Sequence, residues 1–380
     1  MLDQDAKYLA YAPSVETVAG NEDVLFDELS RTMQHITRTM ASQYRHAYRP
    51  VHAKSHGVLV GTLEVLPGLP EYLAQGLFAE AKSYPVILRF STNPGDILAD
   101  NVSSPRAMAL KILNVEGEKV PNHEGATTQD FVCVNGEAFS APDPAGFLDQ
   151  IKLFDKTLAV PEGVKHAVSV AARATNAVLT AVHLPSATLT GIGAPATHIL
   201  GETFTTVAPV RFGGYVGKIG FAPGSESLKK LTGEGVDLGA DYNALEELIK
   251  RFFRHETAVW EVRVQLALDE GAGTAEKDKQ FPVELADRKW PSSEEDGKVY
   301  SPWQTVARIT VAAQDSYSDA RQLYVDEKLS FNPWHALAAH RPLGGVMRSR
   351  LKAYAEARKY RAQRNGREIV EPSGVEEVPA

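Results

Sequence analysis

The sequence predicts an α+β fold: an eight-stranded antiparallel β-barrel carrying a helical insertion and followed by a C-terminal helix. Three observations lead there. Eight short β-rich runs are separated by Gly, Pro, Asn and Asp turn signals at hairpin-scale spacing. The fourth and fifth runs are parted by a single stretch of helical periodicity, so strands and helices do not alternate as a parallel βαβ sheet would require. Residues 260–266 alternate apolar and polar without a miss, the pattern of a strand with one buried and one wet face.

Taken in order, Asn21 and Asp23 followed by Leu25, Phe26, Leu29, Met33, Ile36 and Met40 predict a capped amphipathic helix up to about Tyr44, closed off by Pro50. Strands are predicted at 58–66, 86–92, 107–114 and 130–134. Helical spacing returns over 144–179, with Phe147, Ile151 and Phe154, then Val164, Val168 and Ala172. Strands at 204–210 and 215–221, a helix over 241–253, and strands at 260–266 and 305–311 complete the set. Residues 343–364 predict a basic helix, with nine Lys and Arg residues between Arg341 and Arg367 and few acidic ones. The organisation expected is a lead-in with its helix over 1–48, a main domain over 49–367, and a frayed acidic tail over 368–380.

At 380 residues, with 43% hydrophobic and 23% charged, the composition is that of a folded chain and excludes disorder as the dominant state. No apolar run approaches the ~20 residues needed to span a bilayer, and the start lacks the layout of a signal peptide, so a cytoplasmic protein is expected. A net charge of −8 disfavours attraction to nucleic acid or to anionic membrane. The single cysteine, Cys133, lies in an apolar run and reads as a small buried hydrophobe, which leaves no disulfide and no Cys-based zinc site.

Several motifs carry nothing. Gly233, Gly235 and Gly239 lack the spacing of a nucleotide-binding fingerprint, and no Gly-x-Ser-x-Gly elbow exists. His52 and His56 are four apart but precede a strand rather than lie on a helix, so they are not read as zinc ligands.

Other segments gain meaning together. Arg49-Pro-Val-His-Ala-Lys54, Val86-Ile-Leu-Arg-Phe-Ser-Thr92, Ser104-Pro-Arg-Ala-Met-Ala-Leu-Lys111, and the series Phe331-Asn-Pro-Trp334, Pro342-Leu-Gly344 and Arg350-Leu-Lys-Ala-Tyr354 follow one another in a fixed order. In that order they resemble the haem catalase family, from about Arg49 to Arg361. The resemblance implies a catalase-like core binding haem b, with Tyr354 as proximal iron ligand, the family's own choice of donor. Arg350, one helical turn before it, would favour the phenolate. His52 becomes the distal acid/base, since imidazole with a pKa near about 6.5 can both take and return a proton. The resemblance implies Arg49, Arg89 and Arg361 as partners of the haem propionates, Ser91 in the distal pocket and Phe139 on the haem face. The family's distal asparagine has no match, and Thr127 stands nearest its position.

The chain is most similar to the minimal catalase-related proteins, which implies a peroxidase consuming hydrogen peroxide or organic hydroperoxides through a ferryl intermediate, with a small-molecule reductant. A homodimer is compatible with the resemblance. An alternative is rearrangement of a lipid hydroperoxide, as in allene oxide synthases, although Val51 before the histidine is the residue of true catalases. A reading of another class is an anion-binding or nucleic-acid-binding protein using the basic helix, whose mark would be steep salt dependence.

Overall fold

Along residues Val86, Leu88 and Phe90 the side chains enter one large apolar core, while the intervening Ile87, Arg89 and Ser91 face the other way. The period of two therefore sorts every strand into an interior face and an exterior face. In the computed structural model, which describes residues 7–181, 194–239, 241–271, 273–294 and 299–380 (side chains of 176–181 excepted), the strands are β1 Lys54–Val65, β2 Ser83–Thr92, β3 Arg106–Ile112, β4 Gln129–Asn135, β5 Phe204–Thr205, β6 Val210–Phe212, β7 Tyr215–Pro223, β8 Ala258–Leu266 and β9 Gln304–Val311. All pair antiparallel in the order β5-β4-β3-β2-β1-β9-β8-β7-β6, and β5 also pairs with β7. That last pairing closes eight strands into a barrel and leaves β6 as a short addition on β7. The interior is filled by Leu63, Phe90, Met108, Phe131, Phe204, Phe221, Trp260 and Ile309, among others, all buried.

The helices are α1 Glu22–Tyr44, α2 Pro144–Thr157, α3 Glu162–Ala181, α4 Glu226–Lys229, α5 Ala244–Phe253, α6 Asp319–Glu327 and α7 Gly345–Asn365. Leu29, Met33, Ile36 and Met40 of α1, Phe147, Leu148 and Ile151 of α2, and Val346, Met347 and Ala353 of α7 form a second core outside the barrel. This second layer covers the exterior face of β2, β3 and β4, and the candidate site lies between the two.

The eight predicted strands and the helices around them are present, with local differences. The predicted fifth strand divides into β5 and β6, because Val207 adopts φ 51 and Pro209 has no N–H to give. The helical insertion breaks between α2 and α3 at Pro161. Helix α1 ends at Tyr44 as expected, but the left-handed Arg45, φ 59, stops it before Pro50 is reached, and its Asn21 side chain makes no capping hydrogen bond. The helix α6 was not legible in sequence. The residues after Glu368, expected to fray, lie against the barrel instead. Ile369 and Val378 are buried, Glu371 pairs with the buried Lys111, and Arg321 donates to the Pro379 carbonyl at 2.7 Å. The acidic character that suggested a solvated tail is what docks it.

Candidate active site

The segment between α1 and β1 carries Arg49 and His52. His52 sits at φ 53, a region that side chains other than glycine rarely occupy. Two contacts hold it there: its N–H donates to Asn93 Oδ1 at 3.2 Å, and its carbonyl accepts from Arg89 Nη2 at 2.8 Å. Gly95 brings the Asn93 loop close, since a Cβ there would collide with the Pro50 carbonyl oxygen. The backbone is thus clamped while the ring is left free. Nδ1 is buried and has no hydrogen-bond partner among the described residues. Burial, then the guanidinium charges of Arg89 and Arg350, push the imidazole down to about 3. At neutral pH it is an uncharged base.

Helix α7 carries the partner group. Arg350 and Tyr354 lie one turn apart on one face, and Arg350 Nη2 donates to Tyr354 Oη. The guanidinium also rests 5.0 Å from the centre of the phenol ring, and Nη1 contacts Met347 Sδ at 3.4 Å. Tyr354 and His52 line one continuous cavity with two lobes, shared also by Met33, Val51 and Val132.

One lobe is cationic. Arg49 pairs with Asp326 at 3.1 Å and donates to the Val325 and Leu329 carbonyls at 2.8 and 2.9 Å. Arg361 also donates to the Leu329 carbonyl at 2.8 Å. Burial holds Arg49, Arg89 and Arg361 below the ordinary arginine range, and for Arg89 and Arg361 the charge of Arg49 adds to it. Among the described residues, Asp326 is the carboxylate acting against this, and Nε of both Arg89 and Arg361 is buried without a partner. Such a lobe attracts carboxylates. Ser91 and Arg358 line it as well.

The other lobe, about 570 Å³, is mostly apolar, with Phe139, Phe147, Ile151 and Phe154. The rings of Phe139 and Phe147 meet edge-on at 5.2 Å. Every predicted site residue except one therefore borders the same cavity. The exception is Thr127, which is exposed, spends its carbonyl on the Val115 N–H at 2.9 Å and lines neither lobe. Strand β4 borders the cavity only through Val132, Val134 and Asn135, so a residue before its Gln129 end lies away from it. The asparagines that do reach the cavity are Asn93, beside His52, Asn135 elsewhere in the apolar lobe, and Asn332 in the cationic lobe. Asn93 directly follows the Arg-Phe-Ser-Thr motif and Asn135 ends β4, so position beside the motif was the available signal; Asp326, on the unread α6, had none.

Two other readings lose their ground. Asp130, His335 and Glu371 converge within 4.8 Å, but Lys111 Nζ already lies between the carboxylates, 2.8 Å from both oxygens of Asp130 and bonded to Glu371. The ammonium takes the place a metal would need. Part of the charge of helix α7 is engaged within the fold: Arg348 is held by Glu16, Glu22 and Glu284, Lys352 by Asp27, Arg358 by the Ile369 carbonyl, and Arg361 lines the cavity, while Lys359 and Arg364 are exposed. No described helix is long and apolar enough to cross a membrane.

Compared with protein-family models the chain matches none, and no curated protein matches it in sequence. Solved structures do resemble it. A fungal catalase aligns with TM-score 0.54 at 17% identity over 85% of this chain and 62% of its own length. Catalase A from Saccharomyces cerevisiae gives 0.54 at 19% identity over 85% and 63%. A bacterial catalase gives 0.55 at 17% over 98% and 68%. The chain spans less than two thirds of the first two. A closed eight-stranded antiparallel barrel with helices packed outside it is the catalase-like fold, and this chain has it.

Proposed function

We propose that the protein is a haem-dependent enzyme that consumes peroxides. The observation that carries this is the meeting of an uncharged, unpartnered imidazole and an arginine-held phenol in one cavity whose adjoining lobe holds buried guanidiniums in excess of carboxylate. The donor set fits haem b: Tyr354 Oη is an oxygen ligand suited to ferric iron, and Arg49, Arg89 and Arg361 await two propionates. When bound, haem supplies the iron that takes up peroxide and accepts its oxidising equivalents.

The chain's own residues do the rest. Arg350 donates to Tyr354 Oη and so fixes where that oxygen stands in the cavity. His52 accepts the proton of the incoming peroxide and, as an imidazolium of low pKa, gives it up readily to the departing oxygen. Asn93 and Arg89 keep His52 in its unusual backbone conformation, so the ring does not search for its position. Phe139, Phe147, Ile151 and Phe154 exclude water and leave room for an organic substituent, which supports organic hydroperoxides beside hydrogen peroxide as substrates.

The test is a visible spectrum of the purified protein supplied with haem, followed by peroxide consumption. A Soret band of the ferric tyrosinate type is expected. Tyr354→Ala abolishes or severely weakens haem retention and Tyr360→Ala leaves it intact. No Soret band in the wild type rules the reading out. Rapid oxygen release with no turnover of organic hydroperoxides would make the activity catalatic, whereas rearrangement of a lipid hydroperoxide without a donor would indicate the synthase type.

A further inference from the structure

A peroxidase needs electrons from outside, and the end of α1 holds an arrangement suited to admitting them. Tyr44, the last residue of α1, is half-buried, and its Oη donates to Asp96 Oδ1 at 2.6 Å. The other oxygen of Asp96 accepts from Lys165 Nζ at 2.7 Å. The Tyr44 ring meets that of Tyr48 edge-on with centres 5.9 Å apart, and Tyr48 in turn packs on His46 at 4.8 Å. Tyr48 immediately precedes Arg49, whose guanidinium lines the cationic lobe. The charge of Asp326, the partner of Arg49, is felt at the Tyr48 hydroxyl. Two tyrosine rings in contact thus run from the end of α1 to the neighbour of the cavity-lining Arg49. The 46% exposed Tyr242 lies close enough to Tyr44 to act on it electrostatically.

We propose that Tyr44, with Asp96 as its proton acceptor, is the electron-entry point of the enzyme, that Tyr48 links it to the cavity, and that the donor is a small hydroquinone-type molecule. The proposal rests on the peroxide-consuming reading. A phenol that loses one electron becomes a strong acid and must release its proton in the same event. A carboxylate already hydrogen-bonded to it receives that proton with neither group moving. Burial and the negative charge of Asp96 keep Tyr44 a phenol until it is oxidised. Each electron passes inward from Tyr44, its proton resting on Asp96. The donor then returns one electron, Asp96 returns the proton, and the donor's own proton leaves to solvent. Over two such events one hydroperoxide and two donors give one alcohol, one water and two donor radicals, with both protons consumed in the water.

The experiment uses the haem-loaded full chain, tert-butyl hydroperoxide, hydroquinone and a nitroso radical trap, with trapped residues located by peptide mass spectrometry. The trap is expected on Tyr44. Tyr44→Phe, which keeps the ring packing, removes that adduct and lowers hydroquinone oxidation about a hundredfold, the low end for loss of a positioned proton transfer, while single-turnover peroxide cleavage is unchanged. Asp96→Asn lowers hydroquinone oxidation to a similar extent and leaves the haem spectrum as it was. Tyr360→Phe, whose ring lies beneath Arg38 without a carboxylate bond, leaves both readouts unchanged. Normal peroxide cleavage with no adduct on Tyr44, or undiminished hydroquinone oxidation by Tyr44→Phe, overturns the entry point alone. Failure of the wild type to cleave peroxide overturns the peroxide reading and the entry point with it.

Discussion

His52 combines a clamped backbone with an unsatisfied ring, and the two have separate consequences. His52→Ala keeps haem, because Tyr354 and the arginines are untouched, and loses peroxide cleavage by about 10²–10⁴-fold, as measured by single-turnover kinetics. The depressed titration also ties the ring to acid stability. The folded imidazole resists protonation down to about 3, whereas an unfolded one takes its proton near pH 6.5. Between those values the unfolded chain binds the extra proton, so this residue's stabilising contribution is present above about pH 6.5 and lost as pH falls towards 3. Urea titrations of the haem-free His52→Ala variant show a shallower acid decline than the wild type. The arginines act in the opposite direction from ordinary ion pairs. Arg361→Met removes a buried cation from among other cations, so the haem-free protein gains about 1–4 kcal/mol while haem affinity falls. A variant that loses both stability and affinity would show that Arg361 is a structural strut.

At the scale of elements, the docked C-terminal segment and the strands beneath it share one buried charge network. Lys111 on β3 holds Asp130 on β4 and Glu371 of the tail, and Ser330 Oγ donates to the other oxygen of Glu371 at 2.7 Å. Lys111→Met leaves two buried carboxylates without their cation and costs about 3–5 kcal/mol in denaturant unfolding. The tail detaches with it, which limited proteolysis reads as early cleavage after Arg367. Of this arrangement only Lys111 stood out in sequence, inside the Ser-Pro-Arg-Ala-Met-Ala-Leu-Lys motif. An acidic, Pro- and Gly-containing stretch such as 368–380 has the composition of a solvated end. Its burial is decided by a lysine more than 250 positions away, which no local pattern can register.

At the scale of the molecule, the strands were legible because a barrel wall imposes a period of two on each of them, and 260–266 shows it plainly. The closure was not. Strand β5 is two residues long, and its length follows from the left-handed Val207 and from Pro209 rather than from β-propensity. The grouping of candidate residues around one cavity was legible where a motif is contiguous, as in Arg49 to His52, Arg89 to Ser91, and Arg350 to Tyr354. Where a residue is placed by the path of the chain between motifs, the expectation was not met, and Thr127 borders neither lobe. Asn135 and Asp326 became visible only once β4 and α6 had been placed.

That two-residue strand also fixes where the closed wall is thinnest. The joint is made by Phe204 and Thr205 pairing with Asn135 and Val134 on one side and with Phe221 and Gly220 on the other, and Asn135 borders the apolar lobe. Stretches of a barrel wall with the fewest cross-strand bonds open at the lowest free energy. Amide hydrogen exchange in the haem-free protein is therefore fastest, among the barrel strands, at Phe204, Thr205 and Asn135. It slows there on haem addition more than along the long β1–β2 ladder. The seam that closes the barrel lies beside the cavity, and a group bound there would act as its latch.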